Sequence, residues 1–382
     1  MRIALFPSAF YPSLGGVEEL TRQLAHELVA LGHEIIVITN RWPRSLPSEE
    51  LLEGLPVYRI AMRIPEGGLK ARASYALTHG AILNALCGRL SRHKVDLLHV
   101  QCVSSNGLYA HLAARRLGLP LVVTAQGELK MDASQLYERS AYARQTLRTC
   151  LASARAITAC SRQTLAELAE FYQAPLPQPN RVIYNGIRLK DFDEASERLS
   201  GRPYALAIGR HVPQKGFDVL IRAFAESVAL GNTACDLTIA GDGPENDALR
   251  QLAIDLKVEE RVRFTGRTDR PQTVRLFQGC KFFVLPSRHE PFGIVNLEAM
   301  AARKAVIASA VGGVPEIVHD TLTGLLVPPE APDELARAML RLMDDEALSD
   351  KFGRAGRLAA EGFDWPVIAA QYLDVYRQAS IN

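Results

Sequence analysis

Short, continuous apolar runs alternate with longer amphipathic stretches along the first half of this chain, and the whole pattern then starts again. Ile3–Pro7, Glu34–Thr39, Val95–Val100, Leu119–Thr124 and Ala156–Cys160 read as buried strands. Between them, Gly16–Leu31, Ala73–Leu90, Gly107–Leu117 and Gln135–Ala152 carry the three-to-four spacing of helices with one apolar face. A strand that is apolar on both sides needs cover on both sides, so the alternation implies a parallel sheet between two layers of helices. The second series has strand-like runs at Tyr204–Gly209, Asp236–Ala240, Arg261–Thr265, Lys281–Pro286, Ala305–Ala308 and Gly324–Val327. Phe217–Leu230, Asn246–Leu256 and Ile294–Ala302 are helical between them.

Two such series imply two doubly wound, Rossmann-like α/β domains, each binding its ligand at the strand C-termini. A length of 382 residues suits that division. The joint falls near 186–203, where Arg188–Glu194 is polar and Ser200-Gly201-Arg202-Pro203 carries turn signals. The expected domains are residues 1–190 and 200–362, followed by a terminal helix within 363–382. Apolar residues at 48%, charged residues at 23% and a net charge of +2 fit a globular enzyme and give no argument for nucleic acid. The six cysteines form no C-x-x-C pair and read as buried thiols in a reducing cytoplasm. The apolar start, Met1–Pro7, is too short for a signal peptide, and no window approaches the length of a membrane span.

Chemistry concentrates in Pro286-Ser287-Arg288-His289-Glu290-Pro291-Phe292-Gly293-Ile294-Val295-Asn296-Leu297-Glu298. A buried strand runs into a loop that holds Glu290, and a helix starts near Gly293 with Glu298 just over one turn inside. The free N–H groups and dipole of that helix end favour a diphosphate, and each carboxylate can accept sugar hydroxyls. A plain helix N-terminus explains Glu298 alone, but not a carboxylate on each side of a Phe-Gly turn. Arg210 and Lys215 lie in the loop after the first strand of the second domain, where two cations can stabilise a departing diphosphate without a metal. The Gly15-Gly16 pair after the first strand lets backbone approach a ligand, but is no G-x-G-x-x-G fingerprint.

Together these segments resemble glycosyltransferase family 4, the retaining group with the GT-B architecture of two Rossmann-like domains facing across a cleft. Gly15-Gly16, Asn185-Gly186-Ile187, Gly209-Arg210…Lys215-Gly216, Ala240-Gly241-Asp242-Gly243-Pro244-Glu245, Glu290…Glu298 and Gly312-Gly313…Pro315-Glu316 carry the resemblance in order. It implies catalytic roles for Arg210 and Lys215 on the donor diphosphate and for Glu290 beside the donor sugar. It places Glu298 on the ribose, Gly15 and Gly16 near the diphosphate and acceptor, and the Phe292-Gly293-Ile294-Val295 backbone around phosphate and sugar. It further implies a first domain for the acceptor, a second for the nucleotide sugar, and a terminal helix that crosses back to the first. No metal or other cofactor is expected, and the donor is a UDP- or GDP-type sugar.

The chain departs from the pattern at Gln126, where Thr-x-His-Gly is usual, and at Gln101, where the fourth strand often ends His-x-His. The usual glycine after Glu-Ala-Met-Ala-x is Arg303. Gln126 can still bind a sugar oxygen but cannot act as a charged acid. The expected function is transfer of a hexosyl group to a glycan or lipid-linked acceptor in bacterial surface polysaccharide or glycolipid synthesis. A non-catalytic sugar-binding subunit and a nucleotide-sugar epimerase are the alternatives on the same scaffold. Basic residues of the first domain, among them Lys70, Arg72, Arg115 and Arg148, are either a solvated surface or a contact for an anionic inner membrane face.

Overall fold

The computed structural model describes every residue except 14, 67, 132–135, 194–200, 232–233 and 382. Part of the expected joint, 194–200, therefore lies outside the described residues, as does Gln135 at the start of an expected helix. The chain forms two compact units: Met1–Asn185 with Trp365–Asn382, and Gly186–Asp364.

The first unit holds strands β1 (Arg2–Pro7), β2 (Glu34–Asn40), β3 (Glu49–Leu52), β4 (Leu55–Ile60), β5 (Leu97–Gln101), β6 (Leu121–Ala125), β7 (Ala156–Ala159) and β8 (Asn180–Val182). They lie in the order β3-β4-β2-β1-β5-β6-β7-β8. Every neighbouring pair is parallel except β3 and β4. The helices are α1 (Gly16–Ala30), α2 (Leu69–Arg92), α3 (Ser105–Leu117), α4 (Glu128–Met131), α5 (Leu136–Arg139), α6 (Ala141–Ser153) and α7 (Arg162–Tyr172). One expectation fails here. The helix read over Gln135–Ala152 is broken, because the Ser140 hydroxyl caps a new start by accepting from the Ala143 N–H at 2.8 Å.

Side chains of β1 alternate between two cores. Ala4 and Phe6 pack with α3 and α6 residues such as Tyr109, Leu147 and Leu151, whereas Ile3 and Leu5 pack with Leu24 and Leu28 of α1. That is the period-two pattern of a strand covered on both faces.

The second unit holds β9 (Tyr204–Ile208), β10 (Asp236–Ala240), β11 (Val262–Gly266), β12 (Phe282–Leu285), β13 (Ala305–Ser309) and β14 (Gly324–Val327). They form an all-parallel sheet in the order β11-β10-β9-β12-β13-β14. The order reverses between β9 and β12, which places a switch point where the loops after those strands meet. Its helices are α8 (Phe217–Ala229), α9 (Asn246–Asp255), α10 (Arg270–Gly279), α11 (Ile294–Ala301), α12 (Pro332–Asp344) and α13 (Glu346–Ala360).

The last helix, α14 (Trp365–Ile381), belongs to the first unit. Trp365, Ile368, Tyr372, Val375 and Tyr376 sit in the core of Ile3, Leu5, Leu97 and Val122. At about 1.5–3 kcal/mol for each large apolar side chain buried, this contact is a substantial share of that unit's stability. Of the cysteines, Cys102 is partly exposed and the others are buried, all of them as free thiols.

Candidate functional site

The loops after β9 and β12 meet at the switch point of the second unit. Gly216, at φ 64°, starts α8 from a left-handed conformation. A Cβ there would strike the Pro286 carbonyl, so glycine is what allows the two loops to touch. Arg288 fastens them. Its N–H donates to the Gln214 carbonyl at 2.8 Å, and its guanidinium reaches both Asp218 carboxylate oxygens at 2.8 Å. The bidentate pair holds the Asp218 carboxyl below its usual range, against the effect of burial.

With the loops fixed, the Lys215 ammonium donates to Glu290 Oε2 at 2.6 Å. Glu290 is only 8% exposed, and Ser287 Oγ donates to the same oxygen at 3.3 Å. The Glu290 backbone is gripped as well. The Gly313 N–H donates to its carbonyl at 3.1 Å, and a Cβ on Gly312 would collide with that carbonyl. Gly293, at φ 88°, then opens α11. A helix leaves its first N–H groups without intrahelical partners, and those of Ile294 and Val295 stand at this end of α11, next to the Glu290 loop. Phe292 is buried behind them. Arg210, in the loop beyond β9, is exposed and makes no ion pair among the described residues.

Glu298 lies one turn into α11, 13% exposed, and is ion-paired with Arg270 at the start of α10. The other guanidinium edge of Arg270 donates to Asp191 at 3.1 and 2.9 Å, and its plane lies 5.1 Å over the Phe192 ring. Burial opposes the Arg270 charge, but Glu298 and Asp191 outweigh it and its pKa rises. Sequence reasoning missed Arg270, because nothing in the chain marks an arginine whose carboxylates lie 28 and 79 positions away. It also missed Asn296. This side chain is fully buried next to Gly293, and neither its Nδ2 nor its Oδ1 has a hydrogen-bond partner among the described residues.

The first unit holds the other candidates. Gly15 caps α1 and Gly16 opens it, and both are exposed. A carboxylate already occupies that helix end: Glu18 is 8% exposed, accepts from Ser13 Oγ at 3.1 Å, and lies where a Cβ on Gly15 would fall. Nearby, Arg22, Gln23 and Tyr11 donate to Glu19 and, against burial, hold its carboxyl down at about 2. Gln126 follows β6. Its Nε2 donates to Gln101 Oε1 at 3.2 Å, and its Oε1 accepts from Asn185 Nδ2 at 3.0 Å. Glu128 accepts from the N–H groups of Gln126 and Val103 at 2.7 and 3.0 Å, tying the loops after β5 and β6 together. Burial nevertheless pushes its pKa up.

The model of glycosyl transferases group 1 matches residues 190–359, and that of Glycosyltransferase Family 4 matches residues 14–191. An alpha-D-kanosaminyltransferase of Streptomyces kanamyceticus is 31% identical across 95% of this chain and 99% of that protein. The chain belongs to glycosyltransferase family 4. An uncharacterized glycosyltransferase of Methanocaldococcus jannaschii is 30% identical to this glycosyltransferase, over 99% of the chain and 98% of that protein. Its fold is GT-B. The solved sucrose-phosphate synthase of Thermosynechococcus elongatus superposes with a TM-score of 0.80 at 25% identity, covering 99% of this chain and 98% of that one. The structure of Anabaena HepE in complex with UDP gives 0.78 at 21% identity, covering 99% of the glycosyltransferase and all of that chain.

Proposed function

We propose that this glycosyltransferase moves a hexosyl group from a nucleoside-diphosphate sugar to a glycan or lipid-linked acceptor, with retention at the anomeric carbon. The observation that carries this reading is the Lys215–Glu290 pair at the open N-terminus of α11. A UDP complex of the neighbour HepE fits a nucleotide diphosphate as the ligand class.

The diphosphate lies between the α11 N-terminus, Lys215 and Arg210. Lys215 spends one donor on Glu290 and offers its others to the leaving phosphate. Glu290 orients Lys215 and accepts hydroxyls of the donor sugar, and Glu298 accepts those of the ribose. In the first unit, Gln126, Gly15 and Gly16 keep the donor-binding roles that the family resemblance implies. The glycosidic C–O bond to the diphosphate breaks first. The acceptor oxygen then bonds to the same face of the anomeric carbon, and its proton passes to a diphosphate oxygen. Charge stabilisation and positioning supply the rate, with no strong protein base. Two cations and a helix end replace a metal in this role.

The biological setting proposed is surface polysaccharide or glycolipid synthesis in the cytoplasm, with the acceptor presented at the inner membrane face. No helix among the described residues is long and apolar enough to cross a membrane. Some of the basic residues already serve packing: Arg89 lies 5.2 Å over Tyr58 and Arg148 5.0 Å over Phe171.

The test is turnover of UDP-, GDP- and ADP-sugars in the presence of EDTA, with the product anomer read by proton NMR. Nucleoside diphosphate release with a retained anomer supports the proposal. An inverted product, or activity that returns only on adding metal, overturns it.

A further inference from the structure

The chain's two departures from the family pattern at the ends of β5 and β6, Gln101 and Gln126, are hydrogen-bonded to each other. Their directions can be assigned. An amide nitrogen can only donate, and Asn185 Nδ2 meets Gln126 Oε1 at 3.0 Å. The Gln126 oxygen is therefore engaged, and its Nε2 donates one N–H to Gln101 Oε1 at 3.2 Å. With its own oxygen used, Gln101 leaves its nitrogen to the buried side of the network, where Tyr372 of α14 packs against His99. From Asn185 to Gln126 to Gln101 the donors point the same way, so reversing any one of these amides alone would set like against like, donor on donor or acceptor on acceptor.

The line is anchored in the core. Gln101 is 3% exposed, and Tyr372 is buried against His99 with ring centroids 5.3 Å apart. His99 in turn bonds Tyr376 at 2.7 Å and Thr124 at 2.6 Å. Only Gln126 is partly open to solvent, and its second Nε2 N–H has no partner among the described residues. The network thus ends in one uncharged donor of fixed direction.

We propose that Gln101 is a positioning residue, which fixes the Gln126 amide so that the site presents its ligand an N–H donor and withholds the oxygen. The ligand atom facing Gln126 is then an acceptor oxygen, such as a sugar hydroxyl, ring or acyl oxygen. This rests on the reading of Gln126 as a donor-binding residue.

The experiment is a double-mutant cycle on steady-state transfer, using whichever of UDP-, GDP- and ADP-glucose the enzyme turns over. Gln101→Met keeps the shape of the side chain and removes the acceptor. It is expected to raise the donor KM roughly tenfold with a smaller change in kcat, as loss of one binding hydrogen bond does. In a Gln126→Ala background the same substitution is expected to change KM less than twofold, because nothing remains to be oriented. Melting temperature is followed in all four proteins, and Gln101→Asn serves if Gln101→Met does not fold. A KM effect of Gln101 that persists in full without Gln126 overturns the positioning role, as does no effect of Gln101 when Gln126→Ala impairs binding. A normal KM for Gln126→Ala itself overturns the reading beneath it.

Discussion

Replacing Lys215 by alanine leaves Glu290 as a carboxylate that is 8% exposed, with Ser287 at 3.3 Å its one remaining side-chain donor among the described residues. Breaking a buried ion pair from one side costs about 3 kcal/mol, most of it from the stranded charge. Lys215 is itself 17% exposed, so the lower end of the usual range applies. Glu290→Gln strands the ammonium less severely, since the amide oxygen still accepts, and about 1 kcal/mol is expected. The double variant Lys215→Met/Glu290→Gln removes both charges and should return to within about 1 kcal/mol of the parent. Turnover behaves differently. Both groups are assigned to the donor, so every one of these variants should lose on the order of a hundredfold or more in kcat. Urea unfolding followed by circular dichroism measures the first quantity, and nucleoside diphosphate release the second. A double variant that regains activity together with stability would show a structural pair and refute the reasoning.

Arg270→Ala releases Glu298 and Asp191, and should weaken nucleoside diphosphate binding roughly tenfold by calorimetry; unchanged affinity would remove Arg270 from the site. Burial pushes the His99 imidazole down to about 3, so the folded chain stays neutral there while the unfolded chain takes up a proton below about 6.5. Stability from this group is present above that pH and is lost as pH falls toward 3. The parent should therefore lose about 2 kcal/mol more than His99→Leu between pH 7 and 5, and parallel urea curves would contradict this. Gly312→Ala forces a side chain into a left-handed residue, φ 57°, and against the Glu290 carbonyl. Stability should fall by about 1–2 kcal/mol with turnover reduced as well, and a fully active variant would show that Glu290 is held otherwise.

Strands with continuous apolar runs were legible because burial on both faces leaves an unmistakable pattern. The edge pair β3 and β4 was not, since Glu49-Glu50-Leu51-Leu52 lies at the rim, is largely exposed, and shows no such run. The break at Ser140 was hidden because its neighbours keep helical periodicity on both sides. In the site, the Glu290-to-Glu298 loop and the helix that starts after Gly293 could be read from local order alone. The partners could not. Lys215 and Glu290 are 75 positions apart, and nothing local in the sequence shows that they pair directly. Gln101 and Gln126 read as two separate departures until strand pairing set them side by side. Arg303 illustrates a third kind of hidden information. It occupies φ 57°, the left-handed conformation that explains why glycine is usual there.

The central claim is that the second unit holds a nucleoside diphosphate at the α11 N-terminus with Lys215 and Glu298. Isothermal titration of UDP, GDP and ADP into the parent and into Lys215→Ala and Glu298→Ala tests it directly. The account predicts that at least one of the three binds the parent and loses roughly tenfold or more in affinity in each variant. Binding of that nucleotide with unchanged affinity to both folded variants would contradict it.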